Sequence, residues 1–272
     1  MTPSFDQDTA LEPVGAGRWR ATVFEHWFVV GGPNGGFLAA LMARAMTETA
    51  GAGQPPRSLT LQFLRAPVAG EVEVSAEVAY AGGSTTFLNL RIEQGGESVA
   101  LGLGCCAAWR EGQPEWDDTQ MPPAPAPDQC EPIPPRPSGA LPFLGNYEMR
   151  PALGPPLGVP APPDQPARTA GWIRPVRARG LDPILIAALA DAWLPAAHLR
   201  LPEPGFVPTL DLTIHWRAPL DPGAAEHPWV LVCFTTRLAA GGFWEEDGEL
   251  WSQDGTLLAH SRQLAIVRPP RR

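Results

Sequence analysis

Lysine is absent from the 272 residues, so all 20 basic side chains are arginine. Lysine Schiff-base chemistry and a Walker-type phosphate loop are thereby excluded. The arginines face 29 Asp and Glu, for a formal net charge of −9, and no basic tract occurs; the chain is expected not to bind nucleic acid. The N-terminus, Met1-Thr2-Pro3-Ser4-Phe5-Asp6, has neither a basic segment nor an apolar run, so no signal peptide is expected. The longest nearly uncharged stretch, around Phe24 to Met42, is broken by Glu25, His26 and a cluster of glycines, so no membrane span is expected. The four cysteines, Cys105, Cys106, Cys130 and Cys233, form no CxxC pair and no metal spacing. Adjacent cysteines on a strand point to opposite faces, which makes Cys105 and Cys106 small core residues in a reduced, cytoplasmic setting. GxSxG, HExxH and GxGxxG are all missing, and His26, His198, His215, His227 and His260 do not pair at ligand spacing. No metal and no cofactor are expected.

What is present is proline, 34 residues, of which 17 lie between Pro114 and Pro166. No packed helix or central strand tolerates that density, so the chain divides into residues 1–111, a Pro-rich linker 112–168 and residues 169–272. Phe143, Leu144, Tyr147 and Met149 give the linker a short apolar anchor, and it is expected to be partly ordered.

The two flanks repeat one order of elements. Before the linker, a strand over Arg18–Val30 leads to Gly31-Gly32-Pro33-Asn34-Gly35-Gly36 and a helix marked by Phe37, Leu38, Leu41, Met42, Ala45 and Met46. Strands follow over Arg57–Ala66, Glu71–Ala81, Ser84–Gln94 and Ser98–Arg110, the last two joined by Gly95-Gly96. After the linker come a strand over Thr169–Val176 and a helix over Asp182–Leu194, with Asp182 as its cap and Pro183 at the first helical position. The remaining strands are Pro208–Arg217, Trp229–Leu238, Gly242–Ser252 and Thr256–Val267. Arg65-Ala66-Pro67 and Arg217-Ala218-Pro219 lie 152 residues apart, and Gln94-Gly95-Gly96 and Gln253-Asp254-Gly255 lie 159 apart. Two copies of a strand, helix and four-strand unit imply an α+β layering, one helix against each curved antiparallel sheet.

Three segments carry a family likeness: Ala188-Leu189-Ala190-Asp191, Pro208-Thr209-Leu210-Asp211-Leu212-Thr213-Ile214, and Ser252-Gln253-Asp254-Gly255 leading to Ser261-Arg262-Gln263. In their order and spacing they resemble the TesB-type acyl-CoA thioesterases, a family with the double hot-dog fold: two tandem units, each a long helix packed on a curved antiparallel sheet. The resemblance implies Asp191, Thr209 and Gln263 as catalytic residues, acyl-CoA as substrate, a role in lipid metabolism and no cofactor. It leaves homo-oligomerisation open, and the insert from about Gly112 to Arg168 departs from it.

The residues support that chemistry in their own terms. Asp191 follows Ile184-Leu185-Ile186-Ala187-Ala188-Leu189-Ala190, and an acid on that apolar face would have a raised pKa suited to a general base. The alternative places it on the solvated stripe of an amphipathic helix. Gln263 shares a strand face with Ala259, Ser261 and Ala265, where it holds a water or a carbonyl, or else bonds core backbone. Thr209 either orients the same water or is an ordinary strand threonine. At the matching offsets the first half has Arg57 and Gly104, and aligning the helix starts at Gly36 and Pro183 puts Arg44 opposite Asp191, so one site is expected. The first half contributes Gly35, Gly36 and Phe37, whose amides at a helix N-terminus would receive the thioester oxygen, unless the glycines only make a tight helix start. Arg174, Arg177 and Arg179 would meet coenzyme A phosphates or form a solvated cluster. Two other functions compete: an acyl-CoA hydratase or dehydratase, and a non-catalytic acyl-CoA or lipid-binding protein.

Overall fold

A computed structural model describes residues 4–51, 53–110, 112–134, 141–155, 159–162, 164–201 and 207–266. Helix α1 (Phe5–Asp8) and strands β1 (Glu12–Gly15) and β2 (Arg18–Val23) precede α2 (Gly35–Ala50). Strands β3 (Pro56–Phe63), β4 (Gly70–Ala81), β5 (Thr85–Gln94) and β6 (Glu97–Ala107) complete the first half. The second has β7 (Tyr147–Leu153), β8 (Ala167–Pro175), α3 (Pro183–Leu189), β9 (Thr209–Trp216), β10 (Val230–Thr236), β11 (Ala239–Ala240), β12 (Phe243–Ser252) and β13 (Leu257–Ile266). The expected Val267 lies outside the described residues.

All the strands join in one antiparallel sheet, in the order β1-β2-β4-β5-β6-β3-β9-β13-β12-β10-β8-β7, with β11 on β12. The halves meet where β3 pairs with β9, Leu59 opposite Ile214 and Leu61 opposite Leu212. Alternation makes these strands: β2 and β5 bury every second residue, and their inward side chains form one core with α2 and α3. The Gly95-Gly96 turn has both residues at positive φ, the conformation a tight two-residue hairpin demands.

Two expectations need correction. The Arg18–Val30 strand stops at Val23, and a 3-10 turn over Glu25–Trp27 leads toward α2. The second helix is not long: α3 has 7 residues and ends at Leu189. Its start is as the sequence implies, the Leu185 amide donating to the Asp182 carboxylate at 2.7 Å. Beyond Leu189 the amides of Asp191 and Ala192 bond three residues back, to the Ala188 and Leu189 carbonyls, so the helix tightens into a turn, and Pro195, which lacks an N–H, bars regular helix from running past it.

The Pro-rich stretch contributes structure. Its strand β7 forms the sheet edge against β8, with Pro151 at a register shift, the position in a sheet where a missing N–H is tolerated. Phe143, Tyr147 and Met149 are buried in the main core. Upstream, Met121, Ala124 and Cys130 cover the outer face of the second half around Trp172, Trp229 and Trp251. The Trp172 indole donates to the Pro125 carbonyl at 2.8 Å.

Candidate active site

Because the helix stops short, Asp191 sits in the turn beyond α3, facing the N-terminus of α2. Its free carbonyl accepts from Asn34 Nδ2 at 2.8 Å, and the same amide nitrogen donates to Asp191 Oδ2 at 3.0 Å. The Gly36 N–H also donates to Oδ2, at 3.1 Å. From the sheet, Gln263 Nε2 donates to Asp191 Oδ1 at 2.8 Å, and Gln263 Oε1 accepts from the Thr209 hydroxyl at 3.0 Å. Asp191, Thr209 and Gln263 therefore form one chain of hydrogen bonds, completed by Asn34 and Gly36 from the other half.

Close approach explains the glycines. A Cβ on Gly36 would stand 2.2 Å from the Ala188 carbonyl oxygen, and one on Gly35 would stand 2.9 Å from Asp191 Oδ2. Any side chain at Gly36 would push α2 and α3 apart. The tight helix start and the polar role are thus one arrangement.

Burial pushes the Asp191 carboxyl up to about 6, against the hydrogen bonds from Gln263, the Gly36 and Gly35 amides and Asn34 that favour its ionised form. Of the two amides, that of Gly36 has hydrogen-bond geometry. The positive end of α2 acts in the same sense as those donors.

Phe37 departs from the expectation. Its amide donates to the Asn34 carbonyl at 3.1 Å and its ring stacks on Trp27, so it offers no free donor. The Gly36 amide is likewise engaged, by Asp191. Two of the three arginines are occupied: Arg174 pairs with Glu148, and Arg179 with Asp6 and Asp182.

Sequence reasoning passed over Asn34. It occupies the position where such residues cap helices, yet its side chain makes no cap and reaches Asp191 instead. Its Oδ1 is buried without a partner. In the first half, the position matching Gln263 is closed: a Cβ on Gly104 would lie 2.8 Å from Met46 Cε, so α2 rests directly on the strand. Arg57, matching Thr209, lies over the Trp109 ring at 4.2 Å.

The N-terminal domain of the acyl-CoA thioesterases matches residues 24–107 and their C-terminal domain matches residues 127–267, so the chain belongs to the acyl-CoA thioesterase family. A hot-dog-fold protein of unknown function from Alicyclobacillus acidocaldarius is 29% identical, with a TM-score of 0.86 and 100% of both chains covered. The acyl-CoA thioesterase II TesB2 of Mycobacterium marinum shares the fold at 21% identity and a TM-score of 0.77, over 98% of this chain and 99% of that one. The tesB protein of Mycobacterium avium subs paratuberculosis is 21% identical, with a TM-score of 0.76 over 97% and 98%. No curated protein matches the chain. Among the described residues no helix is long and apolar enough to cross a membrane, and no group of His, Cys, Asp or Glu is arranged to hold a metal.

Proposed function

We propose that the chain hydrolyses acyl-CoA to free acid and coenzyme A, using water activated by Asp191, Thr209 and Gln263. The observation that carries this reading is the Thr209–Gln263–Asp191 hydrogen-bond chain ending on a carboxyl whose raised pKa suits a general base. Asp191 Oδ1 accepts from Gln263 alone and keeps a lone pair for a water. On this reading the second N–H of Gln263 and the Thr209 oxygen orient that water.

Asp191 takes one proton as the water oxygen attacks the thioester carbon. The tetrahedral intermediate then expels the thiolate, which recovers the proton from Asp191. No covalent enzyme intermediate forms and no cofactor takes part. We assign the thioester oxygen to the first turn of α2, beside Gly35 and Gly36, where the helix dipole favours developing negative charge. Residues 1–111 and 169–272 are read as tandem hot-dog units, with 112–168 as the connector whose last strand joins the second unit.

The test is thiol release from a panel of acyl-CoAs. Asp191→Asn, folded by circular dichroism, is expected to lose about 100-fold or more in kcat, the scale of general-base catalysis. Wild-type kcat/KM should rise with pH through about 6 and then level. Near wild-type hydrolysis by the variant would sink the mechanism. Saturable binding without thiol release would point to a binding protein, and a change in double-bond absorbance without thiol to a hydratase.

A further inference from the structure

Glu246 lies in a run, Glu245-Glu246-Asp247, that has the composition of a solvated surface, yet it is only 1% exposed. Alternation along β12 explains why: Trp244, Glu246, Gly248 and Leu250 all point inward. On the neighbouring strand its register partner is Gln263. Its Oε2 accepts from the backbone N–H of Ala196 at 2.6 Å. Ala196 closes the turn that begins at Ala190 and carries Asp191. The start of that turn is fixed by Ser261, whose hydroxyl donates to the Ala190 carbonyl at 3.3 Å, and its middle by Trp193, whose indole donates to Thr169 at 3.2 Å. The Glu246 bond is the tether at its far end.

We propose that Glu246 is a positioning residue: its carboxyl holds the Asp191–Ala196 turn against the sheet, so that Asp191 meets Gln263, Asn34 and Gly36 together. The proposal rests on the reading of Asp191 as the base. A carboxyl here also has to avoid adding a second charge to the site. Burial first, and then the charge of Asp191 and of Glu245 and Asp247 on its own strand, drive the Glu246 carboxyl well above the usual range. Asp247 is itself neutralised by Arg237 and Arg262. The phenol of Tyr147 on β7 also feels the charge of Asp191, and it stays protonated because burial pushes its pKa up.

What the position requires is an acceptor for the Ala196 N–H, and glutamine supplies one in the same shape. Glu246→Gln is expected to keep kcat within about twofold and to leave the acid limb of the pH profile in place. Glu246→Leu removes the acceptor. It should lower kcat at least tenfold with KM little changed, and raise the pKa of Asp191 as its donors lose alignment. Ala196→Pro breaks the same bond from the donor side. Pro195 already has the extended backbone (ψ 128) that precedes a proline, and Ala196 is the first residue of a 3-10 turn. It should reproduce the Glu246→Leu effect, and it serves if Glu246→Leu does not fold.

The titration of Asp191, followed by carboxyl 13C NMR in the full chain, is read beside the kinetics because a purely structural tether would leave it unmoved. It decides the proposal even if the wild type hydrolyses no thioester. An unchanged Asp191 titration in folded Glu246→Leu and Ala196→Pro overturns it. So does a shift in Glu246→Gln as large as in Glu246→Leu.

Discussion

Asp191 is ionised against the resistance of its surroundings, and this has a consequence for stability with a definite sign. Its folded pKa, about 6, lies above the ordinary 3.8, so the native state binds this proton more tightly than the unfolded chain does. Native stability therefore falls as pH rises from about 4 to 6, by about 3 kcal/mol for a shift of this size, and the penalty is constant above that window. Asp191→Asn removes the titration. Urea melts at pH 4, 5, 6 and 7 should show a gap between variant and wild type that shifts toward the variant as pH rises and levels near pH 7. A gap independent of pH would contradict the raised pKa. The grouping of Asp191, Thr209 and Gln263 was legible from three short motifs in order, and the three side chains do meet in one chain of hydrogen bonds. Asn34 was not, because its role depends on a partner 157 residues away. Glu246 had a signal, the alternation from Trp244 to Leu250, hidden by the acidic side chains on either side of it.

At the scale of elements, strands were the easier reading. Alternating burial and the Gly-Gly and Asp-Gly turns place β5, β6, β12 and β13 to within a few residues, since a one-residue slip would turn every core side chain to solvent. The end of α3 was harder, because apolar periodicity continues to Leu194 while the backbone beyond Leu189 changes to bonds three residues back, which no side-chain pattern announces. That early end is useful, since it frees the carbonyl that Asn34 takes. The meeting of α2 and α3 is equally exacting. Gly36→Ala places a methyl 2.2 Å from the Ala188 oxygen, and the helices have to separate. A loss of about 1–3 kcal/mol is expected, the usual scale for overpacking. Calorimetry should record it as a fall in Tm of several degrees, with kcat lowered as Asn34 and Gly36 leave Asp191. An unchanged Tm would mean that the close approach of the two helices is absent.

For the whole molecule, the β3–β9 pairing matters most, because it sets the donors of one half against the acid of the other. The second half holds Asp191, Thr209 and Gln263 but lacks Asn34 and Gly36. Residues 112–272 produced alone are expected to show no thioesterase activity even where soluble, and adding residues 1–111 should restore some of it. Full activity from the second half alone would show that α2 is dispensable to the chemistry. The repeated order of strands was legible in the sequence from the offsets between matching motifs. The continuity of the sheet was not, because no local pattern announces which strand edges meet.

Met46, lying over Gly104, bears on how many substrates the molecule is expected to hold at once. The position that matches Gln263 in the first half is occupied by the Met46 sulfur and methyl, and on the proposed mechanism the first half then offers no second site. A non-hydrolysable acyl-CoA analogue titrated by calorimetry should saturate at one equivalent per chain. Two equivalents would mean that the methionine plug yields.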